Sequence, residues 1–161
     1  MLTDFIHLGS SGALAAIPLF GVASLAGILV SIVVAGPLSD RIGRRKPFIF
    51  AASVLVGVAL IIPMVSPTFG GWLAFSVVSG LGFGAFQSVD QALMSEVLPS
   101  ATSFGKDLGV VNIAATLPQT IAPAVAGFII LTFGGYLALF PIGIALSVLG
   151  AFAVWFIRSV R

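Results

Sequence analysis

The sequence predicts an all-α, polytopic membrane protein with five transmembrane helices, and three observations carry that expectation. Of its 161 residues, 59% are hydrophobic and 7% charged, with a mean hydropathy of +1.23, whereas soluble domains carry roughly 25% charged residues. The apolar residues fall into runs of about the 20 residues that a helix needs to cross a bilayer. The basic residues collect in alternate connections between those runs, as orientation in a membrane requires.

The same numbers exclude several classes of function. So little polar sequence leaves no room for a soluble domain. The net charge of +2 comes from connections and the C-terminal tail, which is a membrane-orientation pattern and not a nucleic-acid surface. Cysteine is absent, so disulfides and thiolate metal sites are ruled out. No metal-spaced His or acid pair occurs and no Ser/His/Asp set converges, so an enzyme, a metal site and a cofactor are not expected. Met1-Leu2-Thr3-Asp4 lacks the basic start of a signal peptide, and the first apolar run is too long for one, so it should remain in the bilayer.

In chain order, the first span is expected at about residues 11–35, an uncharged run in which Gly27 and Ser31, four apart, give one face that can approach a neighbouring helix closely. A basic loop follows at 36–47. The second span, about 48–65, should begin near Pro47, since proline suits the first turn of a helix. Ser66 to Gly71 is an uncharged turn. The third span runs over about 72–98 and stops at Pro99. A small, polar connector containing Lys106 leads to a fourth span at about 108–132. Phe133 to Tyr136 turns the chain again, and a fifth span at about 137–157 ends at Arg158 and Arg161.

Under strict alternation the 36–47 loop, Lys106 and the Arg158/Arg161 tail share one side, while the other two turns hold no basic residue. Lys and Arg resist translocation, so the expected topology in the cytoplasmic membrane is N-terminus outside and C-terminus cytoplasmic. Trp72 and Tyr136 would then lie near the outer boundary and Trp155 near the inner one. Five spans with an outside N-terminus suggest that an upstream part of a larger protein is missing.

The basic loop is more than an orientation signal. Gly36-Pro37-Leu38-Ser39-Asp40-Arg41-Ile42-Gly43-Arg44-Arg45 closely resembles the signature loop of the major facilitator superfamily, with Ser39 where alanine is common. In that family the loop lies between the second and third helices of each six-helix half. Here it follows the first span, so the resemblance implies an incomplete half lacking one helix upstream. The pattern Gly109-Val-Val-Asn112-Ile-Ala-Ala-Thr-Leu-Pro118-Gln119 is similar to the eleventh helix of the sucrose and glycoside-cation symporter branch. On that likeness the chain would be helices eight to twelve of a twelve-helix transporter, with the N-terminal half as a missing partner. A secondary transporter moving a sugar or other small solute by alternating access is implied.

Two polar stripes offer candidate binding groups. Gln87, Asp90 and Gln91 share one face of the third span, and Asn112, Thr116 and Gln119, with Thr120, share one face of the fourth. A mid-span Asp costs about 2.5–3.5 kcal/mol on insertion scales, so both stripes are expected to face protein or a water-filled cavity. Amide and hydroxyl groups suit the hydroxyls of a sugar. Asp90, about seven residues or ~10 Å from the end of its span, could bind and release a proton during transport; a structural acid bonded to a neighbouring helix is the competing reading. Glu96 looks like the acid of the E-x-x-P element of sugar porters, and its pairing with Arg44 or Arg45 would clamp the cytoplasmic side, whereas a water-exposed boundary carboxylate would do nothing of the kind.

Pro118 and Pro123 withhold backbone donors within the fourth span, and could bend it for a ligand or a rocking motion or simply be tolerated kinks. Gly80-Leu81-Gly82-Phe83-Gly84 superficially fits a nucleotide loop, but with no preceding strand it reads as close helix packing. His7, the sole histidine, is expected to be an exposed loop residue. Within the transporter reading a drug/proton antiporter is the alternative, and outside it a small structural membrane subunit. Residues 1–161 alone are not expected to transport.

Overall fold

The computed structural model describes residues 10–43, 45–97 and 104–156; the side chains of residues 10, 11, 13, 45, 90–97, 104, 107, 108, 111, 155 and 156, that of Trp155 among them, lie outside the described residues, as do His7, Arg158 and Arg161. Among these the structure is all-α: α1 (Ser10–Ile42), α2 (Arg45–Val65), α3 (Phe69–Val97), α4 (Phe104–Phe133), a 3-10 turn (Tyr136–Ala138) and α5 (Leu139–Phe156). Each of the five helices contains a segment long and apolar enough to span a membrane.

α3 is the centre of the packing. It lies along α1 and along α2, and α2 in turn carries α5. Gly27 of α1 faces α3 so closely that a Cβ there would stand 2.6 Å from the Val77 carbonyl oxygen. Gly84 is as close to the Ile28 carbonyl, and a Cβ on Gly80 would collide with the carbonyl of Ser24. The middle glycine of the run points the other way: a Cβ on Gly82 would meet Val56 of α2 at 2.7 Å. Alternate glycines thus let one helix touch two neighbours backbone to backbone, which dispersion rewards where no hydrophobic effect separates helix from lipid. Ser31 Oγ donates to the Leu81 carbonyl at 2.6 Å, an interhelical bond of a kind worth about 0.6 kcal/mol in a bilayer.

The register of these contacts fixes direction. Ser24 meets Gly80, Ile28 meets Gly84 and Gly36 meets Ser88, so α1 and α3 run parallel. Across α2 and α5, Phe50 stacks edge-on against Phe152 at 5.7 Å, Gly57 approaches Ser147 and Leu60 approaches Gly143, an antiparallel pairing. Ile49, Val89 and Val154, one each from α2, α3 and α5, form the apolar core at one end with Phe48 and Phe86 against them. At the other end Trp72 is surrounded by rings of Phe20, Phe75 and Phe140, with centroids 5.6–6.4 Å away. The sequence places Trp72 at a boundary; the structure makes it the centre of an aromatic cluster that joins α1, α3 and α5.

The turns follow local chemistry. Gly43 at φ +64° and Gly134 at φ +73° close α1 and α4 in the left-handed conformation that glycine adopts without steric cost. Gly43 N–H donates to the Ser39 carbonyl and Gly135 N–H to that of Ile130. Thr68 caps α3, its Oγ1 accepting from Gly71 N–H at 3.1 Å.

Two expectations change. Residues 36–42, read as loop, form the last two turns of α1. Pro37 withholds only the amide that would bond the Val33 carbonyl, and the segment approaches α3 at Gly36, beside Ser88, with Ser39 2% exposed. α2 correspondingly begins at Arg45, before the expected start at Pro47.

Replacing Gly80 with Val should therefore destabilise the chain by about 1–3 kcal/mol or more, whereas Gly150→Ala, with open space around its added carbon, should be neutral or gain about 0.5–1 kcal/mol. Thermal melting in detergent, followed by circular dichroism, measures both.

Candidate functional site

Three groups of residues were candidates: the basic turn, the α3 stripe and the α4 stripe. At the turn, Asp40 and Arg41 are exposed in the final turn of α1, and Gly36 lies against Ser88. Arg44, and the side chains of Arg45 and Glu96, lie outside the described residues, so the proposed clamp between them has no geometry here. Ser39, next to Asp40 in α1, has a buried Oγ without a hydrogen-bond partner among the described residues.

On α3, Gln87 is half-buried, and the side chains of Asp90 and Gln91 lie outside the described residues. On α4, Asn112, Thr116, Gln119 and Thr120 are all exposed. Two of the four spend their hydroxyls on their own helix: Thr116 Oγ1 donates to the Asn112 carbonyl at 2.7 Å and Thr120 Oγ1 to that of Thr116 at 3.0 Å. Such back-bonding hides a donor that a residue on a helix surface would otherwise present to apolar surroundings. The side-chain groups still directed outwards are the amides of Asn112 and Gln119.

The two stripes are not packed face to face. α3 is engaged by α1 and α2, while α4 contacts the 3-10 turn and α5. Gln87 of the α3 stripe is half-buried, whereas the α4 stripe is exposed on a spanning segment that is only 6% buried. The glycines of α4 show the same openness: a Cβ on Gly109 or Gly127 would have nothing within 4 Å.

Pro118 and Pro123 both lie inside α4, which continues through them, leaving the carbonyls of Ala114 and Gln119 without their usual amides. Pro118 also lines an apolar groove of about 500 Å³ between α4 and α5, with Leu117, Ile121, Val125, Ile142 and Leu146. At 100° per residue that groove and the polar stripe occupy opposite sides of α4. The helix thus has one side for a polar environment and one for packing.

The aromatic cluster around Trp72 and the burial of Ser39 were not anticipated. The spacing Gly27, Ser31, Ala35, Ser39 holds the signal for the second, a small residue every four positions. The cluster had no local signal, because its rings come from three separate helices.

The family model for the Major Facilitator Superfamily matches residues 2–161. Among curated proteins, the chain is similar to the uncharacterized MFS-type transporter YfiU of Bacillus subtilis, with 29% identity over 78% of this chain and 24% of that protein. It is 32% identical to the multidrug resistance protein MdtL of Shewanella oneidensis over 68% of this chain and 27% of that one. It is 30% identical to the cis,cis-muconate transport protein of Acinetobacter baylyi over 81% and 29%. The chain therefore spans about a quarter of the length of the curated relatives it matches. No solved structure matches it.

The exposure of α4 has a direct check in a chain without native cysteines. Asn112→Cys and Gln119→Cys, spin-labelled in SDS, where the thiols ionise, and then carried into bilayers, should be relaxed by lipid-dissolved oxygen in electron paramagnetic resonance, while a label at Val89→Cys, a position 1% exposed, should be shielded from it.

Proposed function

The chain belongs to the major facilitator superfamily, and we propose that it forms part of the C-terminal half of a secondary transporter that carries a small organic solute across the cytoplasmic membrane by alternating access. The observation that carries this reading is the exposed polar face of α4. Two amides facing hydrocarbon cost free energy, and a membrane helix bears that cost where its polar face lines a solute path or meets another helix. The missing partner is the remainder of the transporter, including an N-terminal half, and the solute path lies between that partner and α4.

Asp90 is the proposed proton carrier and Gln87, Gln91, Asn112, Thr116 and Gln119 the solute-facing groups. Glu96 with Arg44 or Arg45 forms the cytoplasmic clamp, next to Gly36, Asp40 and Arg41 at the end of α1 and Gly43 in the turn, and Pro118 and Pro123 allow α4 to bend. The basic turn, Lys106 and the Arg158/Arg161 tail put the C-terminus in the cytoplasm and the N-terminus outside.

Two substrate classes divide the observations. A sugar, moved by symport, suits the amides of Asn112 and Gln119, and the likeness of the Gly109–Gln119 pattern to the sucrose and glycoside branch supports it. A drug-like amphiphile, moved by proton antiport, suits a site in which Thr116 and Thr120 keep their hydroxyls on the backbone, and the multidrug names of three relatives support it. The second is favoured, because a polyhydroxylated solute needs the donors that these threonines withhold.

Asp90→Asn in a complete transporter should abolish uphill movement while sparing exchange, read as radiolabelled solute flux in proteoliposomes with and without a pH gradient; uphill flux at the parent rate removes Asp90 from coupling. The 161-residue chain reconstituted alone should give no flux above empty liposomes, and measurable flux from it would contradict the need for a second half.

A further inference from the structure

Asn112 and Gln119 stand seven residues apart on α4, nearly on one line along the helix. Both are exposed, and neither amide is committed to a hydrogen bond among the described residues. They belong to a regular row: Gly105, Gly109, Asn112, Thr116, Gln119 and Pro123 follow at intervals of four, three, four, three and four residues, all six exposed. An average interval of 3.5 residues keeps such a row against one partner helix as the two wind left-handedly around each other. A Cβ on Gly105 or Gly109 would meet nothing within 4 Å, so the backbone there is open to close approach. The neighbours of α4, which are α5 and the 3-10 turn, leave this side free, since α4 meets α5 across the groove lined by Leu117, Ile121 and Val125.

The chemistry of the row selects its partner. A carboxamide carries two donors and an acceptor with two lone pairs, so it is complementary to its own copy, as a carboxylate or an ammonium group is not. Copies of one chain insert into a membrane in the same orientation, so two α4 helices meet in parallel. A two-fold axis along the membrane normal then sets each residue opposite itself. Asn112 meets Asn112 of the second copy and Gln119 meets Gln119, and every amide finds both a donor and an acceptor. Between these layers Thr116 keeps its hydroxyl on the Asn112 carbonyl, so it leaves no unpaired donor in the seam. A lipid tail on the same face would offer the amides nothing.

We propose that the chain by itself forms a parallel homodimer through this face of α4, held by one Asn112 pair and one Gln119 pair. The pairing does not rest on the transporter reading: in a complete transporter the other half competes for the same face, and in its absence a second copy takes it.

Sedimentation equilibrium of the full chain in density-matched micelles, over a range of protein-to-detergent ratios, tests this. Chains of 16.4 kDa should pair, and Asn112→Leu with Gln119→Leu should weaken the association by about tenfold or more with the helical circular dichroism unchanged. Val125→Ala, on the groove side of α4, should associate like the parent. In membranes of the expressing cell, Gly105→Cys, on the row but outside the apolar segment Asn112–Phe133, should link to its own copy under mild oxidation. A spin label at 112 or 119 removes one amide layer and is too bulky for the seam, so the oxygen relaxation described above reports the unpaired chain. A monomer at every ratio, undiminished association of the leucine variant, or a dimer in which Gly105→Cys does not link would each overturn the pairing, and none of them would touch the transporter reading.

Discussion

The packing depends on how closely three backbones approach at the glycines of α3. Gly80 and Gly84 admit α1 and Gly82 admits α2, and no side chain larger than hydrogen fits at any of the three. In a bilayer, lipid tails are as apolar as leucine, so contact area between leucine-rich surfaces holds helices together weakly. Shape does that work here. The remaining contacts are built on this pair of interfaces: Ser31 reaches the Leu81 carbonyl because Gly27 brings α1 in, and α2, held at Gly82, presents Gly57 and Leu60 to α5.

The same constraint separates the parts of the molecule. α1, α2, α3 and α5 form a bundle whose core residues are mostly alanine with Ile49, Val89 and Val154. α4 stands against α5 and the 3-10 turn, its groove side lined by Leu117, Ile121 and Val125 and its polar side open. A helix that is polar on one side and barely buried on the other is incomplete as a membrane structure. In the transporter reading, the packed bundle is the body against which a solute path is built, and α4 is the wall that meets what lies opposite.

Much of the fold was legible because composition and span length act through one physical requirement, the satisfaction of backbone groups away from water. The five helices, the close approach at Gly27 and Ser31, and the packing role of Gly80 to Gly84 follow from it. The extent of α1 did not, since Gly36, Pro37 and Asp40 favour a loop locally, yet the helix runs through them to Ile42. Trp72 shows the same limit: a boundary position is readable from one segment, and a cluster assembled from Phe20, Phe75 and Phe140 is not. Of the candidate site, the grouping of Asn112, Thr116 and Gln119 on one face was readable from helical period. That two threonines turn their hydroxyls back onto carbonyls depends on rotamers, which residue types and spacing do not specify.

The parallel, glycine-mediated contact of α1 with α3 can be measured directly. The distance between Cβ positions at Gly36 and Ser88 is 3.9 Å, within the roughly 3.5–4.5 Å that a disulfide spans, and the chain contributes no cysteine of its own. Gly36→Cys with Ser88→Cys in membranes should close a disulfide under mild oxidation, and Phe20→Cys with Ser88→Cys, which would join only antiparallel helices, should not. Failure of the first pair together with closure of the second would contradict the arrangement on which the structure rests.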